Sequence, residues 1–223
     1  MRSLVVVLVL CASSVARADD ASDREAFMTA APACVESGAH CFGIRLYVAR
    51  AEDGTTVVTP PWFAAQLALT NKLFEPLDTS FQLTEVQFLD ASAARIDDRE
   101  ERTSLAKYMR GQVIDVFLTG YLVDVDKPET FAYGVTWHTE NDGRLIIVSG
   151  MSRTLTLAHE LGHFFGLKHS TYAVSIMNKT RRDTPPPEER RFADQEIAKM
   201  KPRLKRLVRS KVLVEIMPRR ARI

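Results

Sequence analysis

The chain has almost no net charge of either sign: 30 basic residues stand against 28 acidic ones, a balance of +2. Bulk charge therefore selects no partner class, and nucleic acid is not expected as one. Cysteine is scarce, with three residues in 223, which leaves room for one intramolecular disulfide. Long apolar runs are lacking too. The one candidate, residues 4–12, is too short to span a bilayer comfortably, and no other segment comes close. No internal repeat and no second domain can be discerned. Histidine is rare, at five residues, so its placement carries information.

What is present fits one domain with short appendages, since 46% of the residues are hydrophobic and can bury a sizeable core. Arg2, the apolar run and Ala16-Arg17-Ala18 followed by Asp19-Asp20 read as an export signal over residues 1–18. The expected location is secreted or periplasmic. A membrane-anchoring helix and lipidation at Cys11 are the alternatives, and Leu10 is a poor residue before a lipidated cysteine. With the signal removed, Cys34 and Cys41 remain. In an exported chain these read as one small disulfide; two unpaired thiols, or a thiolate that blocks a metal, are the rival readings.

Residues 19–41 are polar and turn-rich and read as an N-terminal arm. Residues 42–50 and 81–89 alternate apolar and polar, as strands do. Between them Pro60-Pro61 opens a helix that Pro76 ends. Residues 97–110 read as a surface helix or loop. Residues 113–125 and 131–138 read as further strands, and Asn141-Asp142-Gly143 turns the chain into a strand at 144–149. A helix over 154–167 follows, then a loop over 170–191. A second helix over 191–209 is expected to be kinked or divided at Pro202. Residues 210–223 form a basic tail, leaving 42–209 as the one folded domain.

Three of the five histidines fall within eleven residues, His159-Glu160-Leu161-Gly162-His163-Phe164-Phe165-Gly166-Leu167-Lys168-His169. Four residues apart on a helix, His159 and His163 point the same way, and Glu160 lies beside them. His169 would be about 15 Å further along a straight helix. Gly166 removes that obstacle, because glycine adopts the left-handed conformation that ends helices. Three neutral imidazoles leave one open position on a tetrahedral ion, the donor set of a catalytic zinc site. Incidental histidines on a charged helix are the bland alternative. His40 and His138 read as surface or strand residues.

This string, with Met177 following in Ser175-Ile176-Met177-Asn178, resembles the metzincin superfamily of zinc peptidases. The run to Ser170 is similar to matrixins in particular. The resemblance implies an α+β fold: a twisted, mixed, mostly parallel sheet with an antiparallel edge strand, a backing helix, an active-site helix and a small C-terminal subdomain with one helix. It implies one Zn2+ held by His159, His163 and His169, Glu160 as general base, and Met177 in a turn beneath the metal. Residues 131–138 are the implied edge strand for extended substrate. The pro-peptide cysteine motif of matrixins and their glycine- and aspartate-rich ion loops are missing. No tyrosine follows Met177 by two residues, so a tyrosine ligand is not implied. The strands before the motif look as much like pappalysin-type relatives, which leaves the subfamily open.

The expected activity is that of a secreted zinc endopeptidase acting on proteins or peptides as a monomer. A zinc-containing binding module without turnover is the alternative, although no ligand and no glutamate is lost. The basic run from Lys199 to Arg222 reads as a solvated face or tail, with docking its most ambitious use. Lys179-Thr180-Arg181-Arg182, just past the methionine, reads as a cationic rim that tolerates acidic residues after the cut.

Overall fold

The computed structural model describes residues 19–34, 38–140 and 143–219. The expected export signal, the Asn141-Asp142 part of the turn and residues 220–223 lie outside them. The core is a five-stranded sheet of β1 (His40–Ala49), β2 (Thr79–Leu89), β4 (Ile114–Thr119), β7 (Gly134–His138) and β8 (Arg144–Ser149), in the order β2-β1-β4-β8-β7. The first four in that order run parallel, and β7 is antiparallel to β8 at one edge. β1 and β4 are covered on both faces, which is why they are buried almost throughout. A smaller sheet joins β3 (Arg95–Ile96), β5 (Tyr121–Asp124) and β6 (Lys127–Phe131).

Alternation along the strands sorts the core into two layers. Phe42, Ile44, Leu46 and Val48 of β1, with Ile114, Val116 and Leu118 of β4, face α2 (Pro60–Phe74), α4 (Thr156–Phe164) and α5 (Asp194–Arg209). Tyr47, Phe117, Leu145 and Ile147 face the opposite way, toward Leu105 and Leu122. There the Tyr47 and Phe117 rings stack at 4.4 Å, and α3 (Arg99–Ser104) and the smaller sheet close the layer.

Several elements depart from the sequence expectations. The arm contains an 11-residue helix, α1 (Asp20–Ala30), capped by Asp19, with Asp20 and Asp23 in its first turn. It buries little beyond Phe27, which meets Phe63 and Phe88; a single anchor leaves no apolar period to read. Arg50 bonds both first-turn aspartates and holds the helix to the end of β1. The Cys34–Cys41 disulfide, by contrast, forms as expected. The expected single strand over 113–125 is two strands in different sheets, divided at Gly120. A Cβ there would lie 3.0 Å from the Ala94 carbonyl oxygen, so any larger residue would crowd the crossing. α5 runs unbroken through Pro202, because Met200, Leu204 and Leu207 pin its buried face while the proline ring is exposed. Residues 210–219 are not a free tail. Leu213 is buried, the Ile216 N–H donates to the Cys41 carbonyl at 2.9 Å, and Arg219 donates to the Met28 and Ala31 carbonyls.

Candidate active site

α4 begins without a cap of its own. The side chain of Gln66 on α2 supplies one: its Oε1 accepts from the Leu157 N–H at 3.1 Å, and its Nε2 donates to Ser152 Oγ. The backing helix thus fixes where the histidine helix starts. Its end is fixed by Gly166, at φ +93°. The Gly166 N–H donates to the His163 carbonyl and the Leu167 N–H to the Gly162 carbonyl, the pair of bonds of a Schellman motif, which needs the left-handed residue between. Beyond it the chain folds back, as expected, and brings His169 to the other two histidines.

The potential ligand atoms of His159, His163 and His169 lie within 4.8 Å of one another. His163 Nε2 is 3.1 Å from Nε2 of each neighbour. Bonds to zinc of about 2.0–2.1 Å at tetrahedral angles place nitrogens about 3.3–3.4 Å apart. The tautomers are set from behind. His159 Nδ1 is 2.8 Å from the Ile176 carbonyl oxygen and His163 Nδ1 is 2.8 Å from that of Leu167. A carbonyl can only accept, so both Nδ1 atoms carry the proton and both Nε2 lone pairs point inward. Facing lone pairs cannot bond each other; they suit a cation, and nitrogen donors suit zinc. Burial lowers the pKa of His159 to about 4, assisted by the other imidazoles and Lys179. Burial also lowers His169 to about 4 and shifts His163 the same way. The ring nitrogens therefore stay available to a metal at neutral pH.

Met177 packs against the histidine helix at Gly162. Met177 is fully buried, its N–H donates to Ser175 Oγ, and the Asn178 N–H closes the turn on the Ser175 carbonyl. A methyl added at Gly162 would lie 2.7 Å from Met177 Sδ, so the glycine between the two helical histidines exists to admit the methionine. The same turn offers the Ile176 carbonyl to His159 and so orients the imidazole directly.

Glu160 is 4% exposed, and burial raises its pKa to about 7, against the opposing effect of a hydrogen bond from Thr136. Thr136 Oγ1 lies 3.0 Å from Glu160 Oε2 and 2.7 Å from the Glu160 carbonyl. Two residues earlier on β7, Gly134 leaves room for the carboxylate: a Cβ there would meet Thr156 Cγ2 at 2.8 Å and Glu160 Cγ at 3.0 Å. Neither residue was singled out from the sequence. Glycine and threonine two apart on a strand give no motif, and their meaning comes only from the helix packed over them.

The stretch past Met177 divides. Lys179 and Arg181 are exposed. Arg182 is not part of a rim, because its guanidinium donates to the carbonyls of Ala173, Ser175, Asn178 and Thr180. It is a brace that ties the loop around the methionine. Ser175 also donates to the buried carboxylate of Glu196 at 2.7 Å, and Glu196 accepts from the Ala193 N–H at the start of α5. That network was not visible in the sequence, since its members lie 21 residues apart. His138 ends β7, exposed, and His40 pairs with Glu215 at 2.6 Å; neither belongs to the triad.

A parallel sheet with an antiparallel edge, a histidine helix beneath that edge and a carboxylate between them define a metallopeptidase of the metzincin type. Residues 82–201, more than half of the 223, match the family described as Matrixin, and the chain belongs to that family. No curated protein matches it. Among solved structures, archaemetzincin from Methanopyrus kandleri is similar at 18% identity and a TM-score of 0.49, over 74% of this chain and 96% of that one. Metalloproteinase-II from Bacteroides fragilis is similar at 15% identity and a TM-score of 0.49, over 76% of this chain and 54% of that one. A zinc-dependent peptidase from Methanocorpusculum labreanum follows at 14% identity and a TM-score of 0.40, over 71% and 100%. Membership makes the chain a zinc metallopeptidase with protein substrates. Among the described residues, no helix is long and apolar enough to cross a membrane.

Proposed function

We propose that the chain is a secreted zinc endopeptidase in which His159, His163 and His169 hold one ion and Glu160 moves the proton. The observation that carries this reading is the position of Glu160: one residue from a ligand, buried, and walled by Gly134 and Thr136 of the edge strand. Zinc held by three imidazoles polarises a carbonyl and makes water acidic enough to ionise near neutral pH. Glu160 takes a proton from the attacking water as its oxygen adds to the scissile carbonyl carbon. As the C–N bond breaks, Glu160 returns that proton to the leaving nitrogen. Burial raises the proton affinity of the Glu160 carboxylate in the metal-free site, which is the direction a general base needs.

β7 lies at the edge of the sheet, so its outer backbone groups are open to pair with an extended peptide. An edge that pairs along its length favours the interior of a chain over its ends, which is why we read the activity as endo. Lys179, whose charge reaches all three imidazoles and Glu160, supports a rim that tolerates acidic residues after the cut, carried by Lys179 and Arg181 without Arg182. The Cys34–Cys41 disulfide fits an oxidising compartment, and with residues 1–18 it supports export. Cleavage of peptides blocked at both ends tests the endo reading. Turnover restricted to free-ended peptides would contradict it.

A further inference from the structure

Aromatic rings gain most from burial, so a row of them left on the surface calls for an explanation. The Tyr121 and Phe131 rings lie 5.9 Å apart, and the Phe131 and Tyr133 rings meet edge to face at 5.3 Å. A guanidinium closes each end of the row. Arg95 lies 4.7 Å from the Tyr121 ring centre, and Arg153 lies 5.2 Å from that of Tyr133. Phe131 and Tyr133 are each 38% exposed, and all five residues of β6 face solvent. None of the three rings belongs to either apolar layer of the core. Packing of the fold therefore does not account for them.

The row starts where β7 stops. Tyr133 directly precedes Gly134, where an added Cβ would lie 3.0 Å from Glu160 Cγ. Past Gly134 the backbone turns inward. The Tyr133 carbonyl accepts from the Ser149 N–H at 2.9 Å, and the Ala132 N–H donates to the Leu122 carbonyl at 2.8 Å. A peptide paired along β7 runs out of backbone partners there, and the surface that adjoins is aromatic. Met151, 55% exposed, leaves β8 at the same end, with its N–H on Ser149 Oγ. An extended chain advances about 3.3 Å per residue, so a side chain opposite Tyr133 or Phe131 lies roughly two to five residues from the bond cut beside Glu160.

We propose that Tyr121, Phe131 and Tyr133 form a binding site for an aromatic or large apolar side chain of the substrate, away from the reacting bond. This rests on the endopeptidase reading above, in which β7 pairs with the substrate. Continuity with β7 favours a substrate segment over a second copy of the chain. The rings also hold one another in place, so capturing a side chain costs little further ordering. A ring set against Phe131 gains aromatic contacts beyond the area it buries.

Peptides blocked at both ends test the site on the zinc-loaded full chain. They differ only in one residue, Phe or Ser, walked through positions roughly two to five residues from the cut on either side. With the wild type, Phe at one of these positions should lower KM about tenfold relative to Ser, with kcat changed less than about twofold. Phe131→Thr, which suits a strand, should bring that KM ratio close to one, while Phe131→Tyr should keep it. Comparing two peptides on one enzyme cancels any change in overall activity. Met217→Ser, which removes another exposed apolar side chain at 87%, should leave the ratio as in the wild type. If Phe131→Thr does not fold, Tyr133→Thr decides by the same ratio. A wild-type ratio near one at every position overturns the proposal, as does a ratio that survives Phe131→Thr. If no peptide is cut, the endopeptidase reading fails, and fluorescence anisotropy with the same peptides decides the site alone. Tighter binding of a Phe peptide that is lost in Phe131→Thr upholds it, and equal binding of the Phe and Ser peptides overturns it. Sedimentation that shows a dimer dissociated by Phe131→Thr, with the substrate ratio unmoved, assigns the rings to a second copy and overturns it too.

Discussion

The two layers on either side of the main sheet are unequal. On one side α2, α4 and α5 close over a continuous apolar layer in which Phe74 meets Phe81, Phe165 and Phe192. On the other side a short helix and a three-stranded sheet cover a much smaller cluster. The histidines hang from the thick layer. β7 belongs to both: Thr136 faces α4, while Val135 and Trp137 pack against the thin cluster. A ligand set needs rigid support, because small displacements spoil metal geometry. In the function proposed, β7 takes up a chain and releases it, and a thin layer has less to lose in doing so. Glu160 is where the two meet, rooted in the thick layer and bounded by the edge strand.

That contrast can be broken by substitution. Phe74→Ala, deep in the thick layer, should cost about 3–5 kcal/mol in chemical denaturation. It should weaken zinc retention as well, because Phe165 and Phe192 lose their common neighbour. Gly134→Ala acts at the boundary. It should leave zinc content near wild type while lowering kcat about tenfold to a hundredfold, since the methyl displaces Glu160. Loss of metal instead would show that the edge strand shares in supporting the ligands. Trp137→Ala on the thin side should cost about 1 kcal/mol or less and appear mainly in KM, because the indole is partly buried and its Nε1–H donates to Thr103 at 3.1 Å. A stability loss as large as that of Phe74→Ala would erase the distinction.

Acid separates the buried groups of the site in the metal-free protein. His159 is neutral in folded and unfolded chains above pH 6.5. As pH falls toward its folded value of about 4, the unfolded chain takes up the proton first, so stability is lost across that window. Glu160, at about 7 when folded, takes up its proton first in the folded state as pH falls from 7 to 4.5, and so acts in the opposite sense. Melting of metal-free Glu160→Gln should therefore fall with acid over this range more steeply than that of the metal-free wild type.

The clustering of the three histidines was readable from the sequence because it is local. His159, Glu160, His163, Gly166 and His169 form one helix and its cap, and spacing alone implies a shared face and a turn. β1, α2 and β2 were readable for a similar reason, since apolar spacing and proline punctuation are properties of short windows. What was hidden depends on contacts between distant segments. Gly120 divides two strands because Ala94 crosses there. Gly134 matters because Glu160 packs on it, and Arg182 is a brace because its loop folds round it. α1 was missed because one phenylalanine holds it. Pro202 misled in the other direction: a rule about isolated helices lost to three buried anchors on the same helix.

In the function proposed, Glu160 is the hinge between binding a metal and using it. The most direct test is to compare wild type and Glu160→Gln for zinc per chain and for hydrolysis of a blocked peptide. One zinc per chain in both is expected, with hydrolysis by the variant lower by about a thousandfold, within the span general base catalysis supplies. Equal hydrolysis by the two proteins, or a variant that no longer retains zinc, would contradict the role given to Glu160.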